Sequence, residues 1–283
     1  MIQKTYRIIA ISFLLVLWSF SPANAGEQQS RLDITLSDTT YYICQSIWLD
    51  VELSNISVDT LSIKKFHFPG GDVLNITVIG ERGDTLKPVY RREFLLGADI
   101  LLTPEDIHYE CFDLAEIFHN YETKPTSPIN VFMSSLSPGK YEVSAEYHFG
   151  QQKISAPKIP FQVAEPSVTE AEALNLYQQA YAAQIAKDYQ LSREKLNSMI
   201  SIFPKSVYAE RAYWNLKKDD ELLKKCPDSG YTCNALRITV AQMSHEDKME
   251  FLQKVIEDHP ETRSAKFAQQ LLRDLNRKGD GYE

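Results

Sequence analysis

The stretch Ala171–Leu216, AEALNLYQQAYAAQIAKDYQLSREKLNSMISIFPKSVYAERAYWNL, decides how the chain reads. Apolar or small residues recur at Leu174, Leu176, Tyr177, Ala180, Tyr181 and Ala183, then at Tyr189, Leu191, Leu196, Met199, Ile200 and Phe203. That is the spacing of amphipathic helices, broken once by the polar corner Lys187-Asp188 and closed by Pro204. It predicts two helices packed back to back and the start of a third.

The pattern returns. Leu196, Met199, Ile200, Pro204, Ser206, Ala209, Ala212 and Leu216 correspond, 56 positions on, to Leu252, Val255, Ile256, Pro260, Thr262, Ala265, Ala268 and Leu272. Each copy reads as a helix stopped before proline, a Ser or Thr cap, and small alanines where the next helix crosses closely. The junction Pro204-x-Ser206-x-Tyr208-Ala209-x-x-Ala212-x-x-x-Leu216 resembles the tetratricopeptide family, especially the repeats of outer-membrane assembly proteins. Two departures stand out: Ser192 where alanine is usual, and a period of 56 where about 34 is normal. The resemblance implies a degenerate unit between the two good junctions, with a short helix near Ala235–Gln242 and about six helices in three hairpins. It also implies that Leu176, Ala180 and Ala183 line the buried stripe while Tyr177, Tyr181 and Gln184 lie on the neighbouring stripe, which in that family faces a concave groove and touches a partner; the simpler reading of the two tyrosines is that they pack against the sandwich or the next helix.

Upstream, the period changes from helical to alternating. Leu32-Asp-Ile34-Thr-Leu36, Ile47-Trp-Leu49-Asp-Val51-Glu-Leu53, Leu61-Ser-Ile63, Leu74-Asn-Ile76-Thr-Val78 and Tyr141-Glu-Val143-Ser-Ala145-Glu-Tyr147 are separated by turn signals such as Pro69-Gly70-Gly71 and Ser137-Pro138-Gly139. About seven short strands in residues 31–163 predict an antiparallel sandwich, with a small barrel as the alternative. The run Leu136-Ser-Pro138-Gly139-Lys-Tyr141-Glu-Val143 resembles the corner of bacterial immunoglobulin-like domains, where a tyrosine bonds back to the preceding loop. Leu102-Thr-Pro104-Glu105 through Cys111 and Phe118 is similar to the sandwich domains of some secreted proteases and protease inhibitors. Ala164-Glu-Pro166-Ser-Val-Thr169 is the seam, and Thr169 is the expected helix cap. The expected organisation is therefore multidomain, all-β followed by all-α: an immunoglobulin-like sandwich over 26–165, then tetratricopeptide-like helices over 166–283.

The N-terminus adds a location. Lys4 and Arg7 precede the apolar run Ile8–Phe20, and Ala23-Asn-Ala25 follows. Thirteen such residues make only about 20 Å of helix, so residues 1–25 read as a cleaved signal peptide rather than an anchor, the mature chain starting at Gly26. The expected location is periplasmic or extracellular, with no transmembrane segment after cleavage. Cleavage removes two basic residues and no acidic one, taking the formal charge from −8 to −10. Such acidity argues against nucleic acid or an anionic membrane as partner.

Four cysteines in an exported chain suggest two disulfides. The loop Cys226-Pro-Asp-Ser-Gly-Tyr-Thr-Cys233 is short and rich in turn residues, which favours a Cys226–Cys233 bridge and leaves Cys44 with Cys111; three connectivities are open.

Reactive constellations do not emerge. His245-Glu246 starts like a zinc-protease helix, but Met249 stands where its second histidine belongs. His108, Glu110 and Asp113 near Cys111 form the nearest thing to a metal cluster, though a solvated loop is the simpler reading, and His67 and His119 read as structural. Asn55 and Asn75 are glycan acceptors only in a eukaryotic host. No catalytic residue, metal or cofactor is expected. The composite reading is a non-catalytic exported scaffold of the cell envelope that binds a protein or peptide through its helices. The alternatives are a protease inhibitor or accessory domain, and an enzyme with an unrecognised site.

Overall fold

The computed structural model describes residues 29–66, 73–88, 99–118, 136–149 and 152–279. Residues 1–25, read above as a signal peptide, and His67 and His119 lie outside them. Among the described residues ten strands come first: β1 (Ser30–Leu36), β2 (Thr40–Tyr42), β3 (Trp48–Asn55), β4 (Leu61–Lys64), β5 (Leu74–Gly80), β6 (Asp99–Leu102), β7 (Ile107–Asp113), β8 (Gly139–Phe149), β9 (Gln152–Ser155) and β10 (Ile159–Ala164). One turn of helix, α1 (Leu114–Ile117), interrupts them. Seven helices follow: α2 (Val168–Ile185), α3 (Tyr189–Ile202), α4 (Ala209–Asn215), α5 (Asp219–Lys225), α6 (Gly230–Ala241), α7 (His245–Asp258) and α8 (Arg263–Gly279). The chain is thus a mixed structure of sheets and helices.

Strand order is β1-β3-β7 in one sheet and β2-β10-β8-β5 in the other, with β9 beside β8 and a separate β4-β6 ladder. Every pairing is antiparallel except β2 with β10, which is parallel. The inward residues of both sheets, among them Leu32, Leu49, Val51, Leu74, Val78, Val143 and Phe161, belong to one apolar cluster. Alternation places them there, because successive side chains of a strand point to opposite faces. The tyrosine at the start of β8 makes its expected bond: Tyr141 donates its hydroxyl to the Ser137 carbonyl at 2.7 Å.

The helices begin two residues before the expected cap. Ser167, not Thr169, stands at the N-cap of α2, its Oγ accepting from the Glu170 backbone N–H at 3.3 Å. The polar corner reads as expected: Lys187 takes φ +61° and Asp188 caps α3, accepting from the Leu191 N–H at 3.0 Å. The 56-residue correspondence extends to helix bounds, since Tyr189–Ile202 and His245–Asp258 are both 14 residues long and lie 56 apart. Where about six helices were expected from the resemblance, seven are described. The excess is local: α4 and α5 are only seven residues each, divided at Lys217, which adopts φ +58°.

The polar face of β3 and β7 does not meet solvent. Trp48 belongs to the apolar cluster of α2, α3 and α4, and Tyr109 to that of α6, α7 and α8. Strand β3 is accordingly buried on both faces. Sheets and helices therefore share a broad interface, and the short segment 165–167 joins parts that pack against each other.

Candidate functional site: the seam between sheets and helices

Acidic side chains of β3 and β7 face basic side chains of the helices. Arg263 of α8 meets Asp50 with a two-pronged fork, Nε to Oδ1 at 2.7 Å and Nη2 to Oδ2 at 2.9 Å, and both residues are 6% exposed. Tyr109 also donates to Asp50, at 2.8 Å. Arg211 of α4 donates to Asp113 Oδ2 at 2.9 Å and to the Tyr231 hydroxyl at 2.7 Å. The other oxygen of Asp113 accepts from the Ile47 and Ala115 backbone N–H groups, so this buried carboxylate is fully engaged. Arg237 pairs with Glu110, Lys266 with Glu52 at 2.9 Å, and Arg277 with Asp106.

A cleft of about 310 Å³ opens beside these pairs, lined from the sheet side by Ser46 and Trp48 and from the helices by Ser206, Glu210, Lys225, Cys226 and Arg263. The Trp48 indole donates to Glu210 Oε1 at 3.0 Å and stands edge-on to the Tyr231 ring, 4.9 Å away. Burial pushes the Glu210 carboxyl up to about 7, against the hydrogen bonds from Ser229 and Trp48. Because the folded state holds this proton more tightly than the unfolded chain, Glu210 favours the fold at low pH. That contribution is lost as pH rises from about 4.5 towards 7. Glu210→Gln should match the wild type in melting temperature at pH 5 and exceed it by about 2–4 °C at pH 8. Parallel pH profiles for the two proteins would show that Glu210 does not titrate in this window.

The residues expected from the tetratricopeptide resemblance fall differently. Tyr177 is fully buried, stacked on Tyr208 at 6.5 Å and met edge-on by Tyr181 at 5.0 Å. It offers no surface to a partner. The buried stripe of α2 runs through Ala173, Leu174, Tyr177, Ala180 and Ala183, with Leu176 at its margin. Helices on two sides explain this rotation, α3 through Leu196 and Met199 and the α4 segment through Tyr208 and Tyr213, all in one cluster with Tyr177. Tyr181 is half-buried and Gln184 exposed.

The cysteine arrangement also departs from expectation. Cys111 Sγ lies 3.2 Å from Cys233 Sγ, joining β7 to α6. Cys44 and Cys226 pack against the other helical cluster, around Trp48 and Tyr208. No disulfide is formed among the described residues. The sequence favoured Cys226–Cys233 because only loop length was visible. Helix α6 starts at Gly230, inside that loop, and carries Cys233 towards the sheet.

His108 is buried with its ring 4.5 Å from that of Phe66, while Glu110 and Asp113 are committed to arginines. No group of three or more His, Cys, Asp or Glu side chains is placed to hold a metal among the described residues. Asn55 is buried, its Nδ2 donating to the Asp59 and Leu102 carbonyls, both at 2.8 Å, which closes it to glycan transfer in the folded state. No described helix is long and apolar enough to cross a membrane. The seam's charges escaped the sequence reading because Asp50, Glu52 and Glu110 occupy the polar positions of alternating strands, where solvent is the default neighbour.

No protein-family model matches the chain, and no curated protein sequence matches it. Among solved structures, a β-glucosidase from Erythrobacter marinus is similar over 48% of this chain and 15% of its own, at 12% identity and a TM-score of 0.27. The alkylpurine DNA glycosylase AlkC of Pseudomonas fluorescens covers 48% of this chain and 30% of its own, at 10% identity and TM-score 0.28. The sporulation control protein Spo0M of Bacillus subtilis covers 52% and 55%, at 12% identity and TM-score 0.28. The matched part thus spans at most about half of each of these chains, and similarity at this level assigns neither fold nor activity.

Proposed function

We propose that the chain is a non-catalytic, exported interaction protein whose helical part, of tetratricopeptide-like hairpins docked on an immunoglobulin-like sandwich, binds a protein or peptide. The observation that carries this reading is the outer face of α3. Ile202 is 63% exposed and Leu191 39%, two of the eight large apolar side chains exposed among the described residues, while Tyr189, 66% exposed, lies on the other side of the helix. Leu191 and Ile202 lie three turns apart, about 16 Å, and within about 20° of each other around the helix. Exposed apolar side chains aligned along a rigid helix suit a partner that brings its own apolar stripe. The ion pairs of the seam support the reading, because they hold the helices in a fixed orientation on the sheets.

The test is capture of partners from native envelope or culture fluid by mature chain, compared with a Leu191→Glu/Ile202→Glu variant. Both positions are exposed, so the variant should melt within about 2 °C of the wild type, and capture should fall at least about tenfold. Undiminished capture would remove α3 from the interface.

A second reading, an enzyme acting in the cleft, is favoured by one observation: a carboxyl held near neutrality in a cavity is a usual mark of acid–base sites. Glu210 is already engaged by Trp48 and Ser229, which suits a structural role better.

A further inference from the structure

The seam holds one pair of groups that neither the ion-pair network nor the proposed partner surface uses. Cys111 of β7 and Cys233 of α6 face each other with their sulfurs 3.2 Å apart, in the apolar cluster formed with Tyr109, Leu236 and Phe267. They are 122 residues apart in sequence and come from the two sides of the seam. A disulfide needs about 2.05 Å between sulfurs, so bonding asks for an approach of little more than an ångström, within the reach of small side-chain rotations. On both flanks the surrounding groups are fixed, by Arg237 with Glu110 and by Arg263 with Asp50.

We propose that Cys111 and Cys233 are a disulfide-forming pair, which cross-links the sheets to the helices when the folded chain meets a disulfide oxidant such as glutathione disulfide or an oxidoreductase of the export compartment. Cys111 is partly exposed and Cys233 only 2% exposed, which sets the order of events. Cys111, as thiolate, attacks one sulfur of the oxidant; the oxidant's S–S bond breaks, one thiolate leaves, and a mixed disulfide forms. Cys233 then loses its proton and attacks the Cys111 sulfur, expelling the second thiolate. The two cysteines together lose two electrons and two protons, and the oxidant is reduced to two thiols. The bridge would cross-link residues whose separation makes its effect on the unfolded chain large. This pairing is independent of the α3 surface.

The test treats folded mature chain with glutathione disulfide, quenches in acid, alkylates remaining thiols and maps peptides. Trypsin alone leaves Cys226 and Cys233 on one peptide, so chymotrypsin is added to cut after Tyr231 and separate them. The expected result is a linked pair of peptides, one carrying Cys111 and the other Cys233, retained in a Cys44→Ser/Cys226→Ser variant. The cross-linked form of that variant should melt about 10 °C above its reduced form. Alkylated Cys111 or Cys233 after exhaustive oxidation of protein that circular dichroism shows to be folded would overturn the proposal. A Cys226–Cys233 or Cys44–Cys111 bridge would overturn it equally.

Discussion

Replacing Arg263 with methionine should destabilise the whole chain by about 3–5 kcal/mol, because it strands the Asp50 carboxylate in a dry interface. Asp50 has a two-pronged bond from Arg263 and one from Tyr109, and with the guanidinium gone only the phenol remains. A single neutral donor does not offset the desolvation of a buried charge. The loss should appear as a fall of about 10 °C in melting temperature. Sheets and helices should still unfold in one transition, since Trp48 and Tyr109 belong to the helices' own apolar clusters. Removing the charge as well separates the two causes. Asp50→Asn/Arg263→Met keeps an amide oxygen for Tyr109 and leaves no buried ion, so it should recover more than half of the loss. Arg31→Met is the control: its pair with Asp33 is exposed, 61% and 39% at the side chains, and should matter by less than about 0.5 kcal/mol. An Arg263 variant no worse than that control would mean that the seam is not held by its buried ion pairs.

How much of this was legible in the sequence depends on the range of the interaction. Alternation located the strands because Leu49, Val51 and Leu53 each face the same core, a relation fixed by the strand's own period. The 56-residue correspondence picked out the C-terminal halves of α3 and α7 and the junctions after them, because cap, apolar stripe and terminating proline are all local. The Tyr141 bond to Ser137 spans four residues and was visible for the same reason. What failed was non-local. Nothing near Cys111 says that a cysteine 122 positions on will stand against it. Equally, nothing in Trp48-Leu-Asp50-Val-Glu52 says that its polar face will be covered by Arg263 and Lys266. Tyr177 shows the intermediate case: its helix was foreseen, but which stripe is buried depends on how many neighbours the helix has. The family pattern supplied one arrangement of neighbours and the structure has another.

The tightest point of the seam is a backbone position, and it carries the last large effect. Gly230 opens α6 directly beneath the Trp48 indole, where a Cβ would sit 2.1 Å from Cε3 and 2.3 Å from Cζ3. Such contacts cannot be relieved by a small adjustment of the ring. The indole nitrogen is bonded to Glu210, and the ring edge is packed on Tyr231, whose hydroxyl is bonded to Arg211. Gly230→Ala must therefore push α6 off the sheet or break the Trp48–Glu210 bond, at a cost of about 3 kcal/mol. The better helix propensity of alanine recovers less than about 1 kcal/mol of this, since the position is the first of its helix. Gly139→Ala, whose Cβ would meet Tyr141 at 3.7 Å, an ordinary contact, should cost far less. The decisive comparison is a cycle with Trp48→Val. That change alone empties part of the cluster and removes a donor to Glu210, but it also clears the space that the alanine needs. If the clash is the cause, the double variant should be more stable than the sum of the two single losses predicts by at least about 1 kcal/mol. Strict additivity would show that Gly230 matters for its backbone and not for the room that it leaves to Trp48.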